Sequence, residues 1–593
     1  MSAAFASSER RILALFIFAI LIATAVLYHR TLAYPFHFDG TTQIADNPQL
    51  DSLSWNDFPT RTRQLIVTTW KLHRHSFGTS PVSYHVVNLF IHVVSGLALL
   101  GLSYRTLRLP AIPEYYRENA AMLSGAIALW WTLHPLQTQA VTYIIQRYES
   151  LMGMFFLLAV YCLAASAESS RKVWWYAGCI AATYLSGCCK EVAVVLPLVL
   201  IWYDRAFVSE SWRSLLSHRW WLHLATLSSW VLYAGFLTLS KENFETHNTV
   251  YVTETTLAGD QVQSLPVSSW EYLLSQAKAI VFYLQLAIFP AGQSIDHGWK
   301  ATRSLGEAIL PGLLVLFLLG LTVWAIFRFP RWSFLGGWFF LVLAPTSSIL
   351  PIQDIAVEHR MYVPLAAIAA LLVLGLFEGF RHLSSASMNN SRVAARNAVA
   401  SVALLAITFG GITISRNEVY QSALALWSDA AAKAPNYPRA QYGVAKAYLE
   451  LEQPDAALPY LQKAVQLDPA YAEACVALGR LERGRNPELA LRLFAQAVAV
   501  DPGMSEAHNN LGAMLAQSNP NLAQLHYQQA IALNDNNADA HNNLANLLAR
   551  QGNLEEAIRH YEVAIEIRPD FPLASSNLNI VRQMALEAKA KPQ

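Results

Sequence analysis

The chain changes solvent near residue 416. Apolar stretches of membrane-spanning length fill the part before Arg416, and helical repeats with a period of about 34 residues fill the part after it. No single aqueous core accommodates both, because a run of about 20 apolar residues needs lipid around it, whereas short amphipathic helices bury one face against each other in water. The composition, 54% hydrophobic and 14% charged, averages two unlike parts. The expected fold class is all-α: a polytopic helical membrane domain of about eleven transmembrane helices, followed by a soluble α-solenoid.

Spans are expected near 12–29, 84–104, 119–136, 150–166, 173–189, 191–207, 220–239, 303–327, 333–350, 362–380 and 397–415. Arg10 and Arg11 precede an apolar run without a small-residue cleavage site, which reads as an uncleaved first span. With those arginines cytoplasmic, the turns on the same side hold Arg105 and Arg108, Arg171 and Lys172, Arg205 and Arg213, Arg328 and Arg331, and Arg381, Arg392 and Arg396. This count requires the apolar but polar-studded stretch from Trp270 to Pro290 to lie in the interface or re-enter rather than cross. An odd number of spans puts the repeats opposite the N-terminus, in the periplasm of a bacterial inner-membrane protein or in the lumen of the endoplasmic reticulum. The loops 30–83, 134–149, 240–300 and 351–361 share that outer side.

Net charge excludes one class of partner. The part before Glu418 is mildly basic and the rest mildly acidic, with no Lys/Arg run, so no nucleic-acid partner is expected. The five cysteines, Cys162, Cys179, Cys188, Cys189 and Cys475, form neither a disulfide framework nor a metal-binding C-x-x-C pattern.

Ionisable residues at a membrane edge are costly, so their clusters are candidate sites. Four clusters fall on the expected outer side. Asp39 follows an aromatic run just beyond the first span, with Asp46-Asn47-Pro48 a few residues on. His85, Asn88 and His92 share one helical face at i, i+3 and i+7. His134-Pro135 is followed by Gln137, Gln139, Gln146, Arg147 and Glu149, the last two as a possible surface ion pair. The fourth runs from Pro345-Thr346-Ser347-Ser348 to Glu358-His359-Arg360-Met361-Tyr362, where the forked guanidinium of Arg360 suits a phosphate or carboxylate. Lys190-Glu191 and Asp296-His297 lie on the same side. Together they make an outward-facing polar site, whereas a transporter needs charged or unwound helix interiors near the midplane, which are scarce here.

These motifs, in this order and spacing, resemble the GT-C family of integral-membrane glycosyltransferases, most closely the transmembrane and tetratricopeptide-repeat-containing protein O-mannosyltransferases and their bacterial relatives. The resemblance rests on Phe38-Asp39 with Asp46-Asn47-Pro48, His85-x-x-Asn88-x-x-x-His92, His134-Pro135-x-x-Thr138, Lys190-Glu191, Pro290 with Asp296-His297, Pro345-x-Ser347-Ser348 through Glu358-His359-Arg360-x-Tyr362-x-Pro364, and Arg416-Asn417 with Leu426-Trp427. It implies a GT-C-like domain over 1–416, a connecting segment over 417–436 and a repeat domain over 437–593. It also implies transfer of a sugar, mannose or another hexose, from a membrane polyprenyl-phosphate donor to Ser/Thr hydroxyls of a polypeptide. The family's catalytic acid falls on Asp39 as general base, and Arg360, helped by Arg147 or Lys190, steadies the leaving phosphate. The remaining substrate-site candidates are His85, His134, Glu191, Asp296, His297, Glu358, His359 and Tyr362. Many members carry a second acid directly after the first, where this chain has Gly40, so no bound metal and no other cofactor is expected. Gln139 stands where relatives often have Glu. Two further readings stay open: the same chemistry on a lipid or surface polysaccharide, and a non-enzymatic scaffold for envelope assembly.

The C-terminal repeats carry the tetratricopeptide pattern of small residues where helices touch and Pro at the helix exit, as in Leu467-Asp468-Pro469, Val500-Asp501-Pro502 and Ile567-Arg568-Pro569. About four repeats and a capping helix are expected. His508-Asn509-Asn510-Leu511 recurs 33 residues on as His541-Asn542-Asn543-Leu544. Asn509, Asn510, Asn542 and Asn543 sit on first helices, which line the groove of such solenoids, and are candidates for holding an extended acceptor or partner polypeptide. His508 and His541 are expected to be structural, since they lack metal-ligand spacing.

Overall fold

The computed structural model describes residues 3–37, 39–52, 63–209, 211–231, 233–234, 253–258, 261–352, 354–383 and 389–590. Apart from one two-stranded sheet, β1 (Thr253–Ala258) with β2 (Gln261–Pro266), the regular structure of these residues is helical. The chain divides into two compact units, residues 1–252 with 266–433, and residues 253–265 with 434–593.

In the first unit the N-terminal helices are α1 (Ala3–Tyr28), α2 (Gln64–Phe77), α3 (Pro81–Arg108), α4 (Ala120–Leu133), α5 (Arg147–Ser166) and α6 (Lys172–Cys189). The later ones are α7 (Ser269–Ile288), α8 (Leu305–Arg328), α9 (Pro330–Leu343), α10 (Leu365–Leu383), α11 (Asn389–Glu418) and α12 (Ala423–Lys433). Among the described residues six helical stretches are long and apolar enough to cross a membrane: Ser7–Ala33, Pro81–Arg108, Ile144–Ser166, Leu305–Arg328, Leu365–Leu383 and Ser391–Gln421. A seventh is a pair, Glu191–Val208 and Trp212–His218, bent by 114°. The other expected spans fall on shorter elements: 119–136 on the 14 residues of α4, 173–189 on the 18 of α6, and 333–350 on the 14 of α9. The span expected at 220–239 lies partly outside the described residues.

Helix α4 shows why an apolar stretch need not be long. It packs against α1, α3, α10 and α11, and almost every residue from Ala120 to Leu133 is buried. Small residues make this possible: a Cβ at Gly125 would sit 2.1 Å from the Phe16 ring of α1. At the other extreme α8 leaves most of its large apolar side chains bare, among them Leu310, Phe317 and Phe327. A helix apolar on all sides and uncovered by protein has lipid as its solvent.

The polar residues of the 270–290 stretch have a specific use. Helix α7 opens with a capping box, Ser268 with Glu271, and turns its polar side toward the loop after α9. Tyr272 donates to the Thr346 carbonyl at 2.8 Å, Gln276 to the Ile355 carbonyl at 2.9 Å, and the Tyr283 hydroxyl accepts from the Val357 amide at 3.0 Å. This helix therefore fixes the loop that delivers Glu358, His359 and Arg360. The connecting segment after α11 is also ordered: Leu426, Trp427 and Ala430 of α12 are buried, and α12 up to Lys433 belongs to the first unit.

The second unit holds four antiparallel helix pairs: Pro438–Glu450 with Pro454–Leu467, Ala472–Glu482 with Pro487–Val500, Ser505–Leu515 with Pro520–Leu533, and Ala538–Arg550 with Leu554–Ile567. A last helix, Pro572–Ala590, packs on the fourth pair. Proline at the first turn starts five of these helices, at 438, 454, 487, 520 and 572, where its missing N–H goes unused, and the side chains of Asn486 and Asn519 cap two of the same helices while Asn537 caps a helix without proline. Within a pair the contact needs small residues. At Gly479 a Cβ would lie 2.8 Å from the Phe494 ring, so the ring takes the place of a side chain.

Candidate active site

Asp39 is positioned by fastening the strand of loop before it. His37 donates to the Tyr420 carbonyl at 2.6 Å, and His85, from the first turns of α3, donates to the Tyr34 carbonyl at 3.1 Å. Burial drives the His37 imidazole below its usual pKa, partly offset by the bond to Tyr420, so it serves as a neutral staple. Beyond Asp39, Arg74 of α2 gathers the Asp46-Asn47 turn, bonding the carbonyls of Ile44 at 2.8 Å and of Ala45 and Asn47 at 3.2 Å, and pairing with Asp51 at 2.7 Å. Asp39 is half-buried, and Phe38 before it lies outside the described residues.

Two ion pairs stand near one another here, and Tyr148 lies within electrostatic reach of one of them and of Asp39. Glu149, at the start of α5, is paired with Lys190; their side chains are 3% and 14% exposed. Glu191 takes a two-pronged contact from Arg63, Nε to Oε1 at 3.0 Å and Nη2 to Oε2 at 3.3 Å. The Arg63 guanidinium lies over the Tyr148 ring at 5.6 Å, and Tyr148 is within electrostatic reach of Asp39 and Glu191. Arg63 sits in the left-handed region, φ 64°, a conformation that disfavours a residue with a Cβ by about 1–2 kcal/mol. Its side chain is 40% exposed, the most open cation of this group.

The sequence-predicted arginines are buried among backbone carbonyls and side chains. Arg147 is buried, donating to Asn88 Oδ1 at 2.9 Å and the Tyr84 carbonyl at 3.3 Å, with its guanidinium over the Tyr84 ring. It therefore makes no surface pair with Glu149. Arg360 is likewise buried and directs its donors to the carbonyls of Ile355 at 3.1 Å, Thr346 at 3.4 Å and Asp354 at 2.5 Å. Both hold loops together and present no open face to a phosphate. The face shared by His85, Asn88 and His92 bonds across helices: His92 donates to the Thr132 carbonyl at 3.0 Å and accepts from the Tyr362 hydroxyl at 3.1 Å. His134 shapes a turn, accepting the Leu136 amide at 3.1 Å and donating to the Ala287 carbonyl at 3.0 Å.

Glu358 is the centre of a second, buried network. It accepts from the Ser294 amide at 2.6 Å and Gln293 at 2.8 Å, and lies 3.2 Å from His297. Burial alone would raise this carboxyl, yet the His297 contact, the Arg416 charge and the Gln293 bond hold it below the usual carboxylate range. Arg416 in turn pairs with Asp429 of α12 at 2.7 Å, and Lys433 bonds both Asp429 and the Gln293 carbonyl. Asp296 caps its own turn through Gly298 at 2.9 Å.

His359 links the two networks. Its backbone amide and Nδ1–H both donate to Gln139 Oε1, at 2.8 and 3.2 Å, and Gln139 donates to the Ile295 carbonyl at 3.2 Å. Burial, then the charges of Lys190 and Arg360, hold the imidazole neutral well below its usual range. An unfolded histidine takes its proton near pH 6.5, so below that the unfolded chain binds more protons and stability falls with acid. Thermal unfolding in detergent between about pH 7 and about pH 5 is expected to show a smaller drop in midpoint for His359→Gln than for wild type. Equal drops contradict this assignment.

In the repeats, Asn543 donates to Asn509 Oδ1 at 3.0 Å across adjacent repeats, Asn542 is buried, and Asn510 bonds the Glu506 carbonyl at 2.9 Å. His508 pairs with His526 at 3.0 Å and His541 with His560 at 2.9 Å, so both are packing residues.

Sequence reading missed Arg63 and Arg74. Arg63 precedes helix α2 and Arg74 lies in its last turn, a stretch without motif, and Arg63 finds its partner 128 residues away.

Tetratricopeptide-repeat families match residues 438–481, 477–519 and 513–572. Human protein O-mannosyl-transferase TMTC1 is 24% identical over 517 residues, 78% of this chain and 56% of that protein. Caenorhabditis elegans protein O-mannosyl-transferase F38B6.6 is 23% identical over 77% of this chain and 63% of its own length. The chain thus spans about half to two thirds of the curated relatives it matches along most of its length. Among solved structures, YrrB, "a TPR protein with an unusual peptide-binding site", is 26% identical, covering 29% of this chain and 89% of that one at a TM-score of 0.23. The chain thus carries tetratricopeptide repeats after helices long and apolar enough to cross a membrane, and along most of its length it is similar to the TMTC protein O-mannosyl-transferases.

Proposed function

We propose that the chain transfers a hexose, mannose in the first instance, from a polyprenyl-phosphate donor to Ser or Thr hydroxyls of proteins on the outer face of its membrane. The observation that carries this reading is that Tyr148 lies within electrostatic reach of Asp39, Arg63 and Glu191, with Glu149 of the Glu149–Lys190 pair in reach of Arg63, in a chain similar along most of its length to named O-mannosyl-transferases. Asp39 takes the proton of the acceptor hydroxyl while that oxygen bonds the anomeric carbon. The bond from the anomeric carbon to phosphate oxygen breaks, and the lipid phosphate leaves with the electron pair and added negative charge. Lys190 and Arg63, cations whose side chains remain partly open, steady that charge. Arg360 and Arg147 act behind them by fixing the loops. This step needs no metal. The reading places the N-terminus in the cytoplasm and the repeats in the periplasm or lumen, where they recruit acceptor polypeptide. Glycopeptide mass spectrometry of outer-side proteins from cells with and without the chain tests it. A hexose on Ser or Thr that vanishes with the chain supports the reading; identical glycopeptides refute a protein acceptor.

A further inference from the structure

The first unit contains a second polar-and-apolar site at the end of the bundle opposite Asp39. A cavity of about 690 Å³ lies among the ends of α3, α8 and α10 and the start of α9. Helix α3 touches both regions, with Tyr84 beside Arg147 near Asp39's loop and Thr106 lining the cavity. The 22 residues between them rise about 33 Å at 1.5 Å each, the thickness of a bilayer's hydrocarbon core. The two sites therefore face different leaflets.

The cavity has the form of a chain-binding groove with a charged mouth. Along α10, Ala366, Ala370, Leu374, Glu378 and His382 recur every four residues and line it, so one stripe of the helix forms its wall. That stripe is apolar and small at the Ala366 end, facing Leu99, Ile127 and Trp338, and polar at the other. Its length, 16 residues or about 24 Å, suits an extended hydrocarbon chain. At the mouth Glu378 is already satisfied: Tyr116 donates to it at 2.6 Å and Arg381 pairs with it at 2.7 Å, while His382 lies 3.6 Å away. Arg328 and Arg331 line the same mouth, and no carboxylate partner stands beside either among the described residues. Two uncompensated guanidiniums that close a hydrocarbon groove complement a phosphate. Cytoplasmic arginines that only set topology need no such groove behind them.

We propose that this cavity is a binding site for an anionic glycerophospholipid of the leaflet opposite the Asp39 site, its acyl chain lying along the α10 stripe and its phosphate held by Arg328 and Arg331. The proposal is independent of the glycosyltransferase reading. Its test is purification of the full chain in detergent with equal amounts of phosphatidylglycerol and phosphatidylcholine, followed by mass spectrometry of the retained lipid. Wild type is expected to keep phosphatidylglycerol about tenfold over phosphatidylcholine. The exposed double change Arg328→Gln with Arg331→Gln is expected to abolish that preference, and Ala370→Trp to lower retention of both. Equal retention of the two lipids by wild type overturns the proposal, as does undiminished phosphatidylglycerol on the double variant. Displacement of phosphatidylglycerol by substoichiometric polyprenyl phosphate overturns the choice of occupant.

Discussion

Replacing Asp39 with Asn is expected to lower sugar transfer by about 10²- to 10⁴-fold while leaving the protein folded. The two side chains have nearly the same volume, so the loop fastened by His37 and His85 keeps its course. What is lost is the basic oxygen that takes the acceptor proton. Asp39→Glu keeps the base at the wrong reach and is expected to fall between the two, a split that a structural role for the carboxylate does not produce. Initial rates on a Ser/Thr peptide, with unfolding midpoints of each variant, decide it. An Asn variant with rates near wild type removes Asp39 from the chemistry.

Arg416→Met is expected to destabilise the first unit by about 3–5 kcal/mol, the cost of leaving buried charge without its partner. Glu358 is fully buried and Arg416 nearly so, and the guanidinium serves both that carboxylate and Asp429 on α12. Removing it strips the buried Glu358 of a compensating charge and Asp429 of one of its two cationic partners. The fall in thermal midpoint is expected to shrink when Glu358→Gln is added, since the second change removes the charge that the first stranded. Additive losses contradict a shared network.

The break between lipid and water was legible because it depends only on runs and periods: apolar stretches before Arg416, small residues and exit prolines after it. The helical face of His85, Asn88 and His92 was legible for the same reason. Span lengths were less so. A central helix such as α4, wrapped by protein, has the composition of a lipid-facing span, yet it has only 14 residues because its surroundings already exclude water. Ion-pair partners were not legible either. Lys190 and Glu191 are chain neighbours, but the backbone at Lys190 is extended, φ −156° and ψ 145°, so successive side chains diverge, one to Glu149 and the other to Arg63. Arg360 and Arg147 carried the right chemistry for a phosphate, but burial turned them toward carbonyls, and no local pattern announces that.

Transfer from a lipid-linked sugar is tested most directly with the purified chain and defined donors. Given a Ser/Thr-rich acceptor peptide, it is predicted to add one hexose from polyprenyl-phosphate mannose and none from a nucleotide-linked mannose. Transfer from the nucleotide sugar, or none from the lipid-linked one with active, folded protein, would contradict the account.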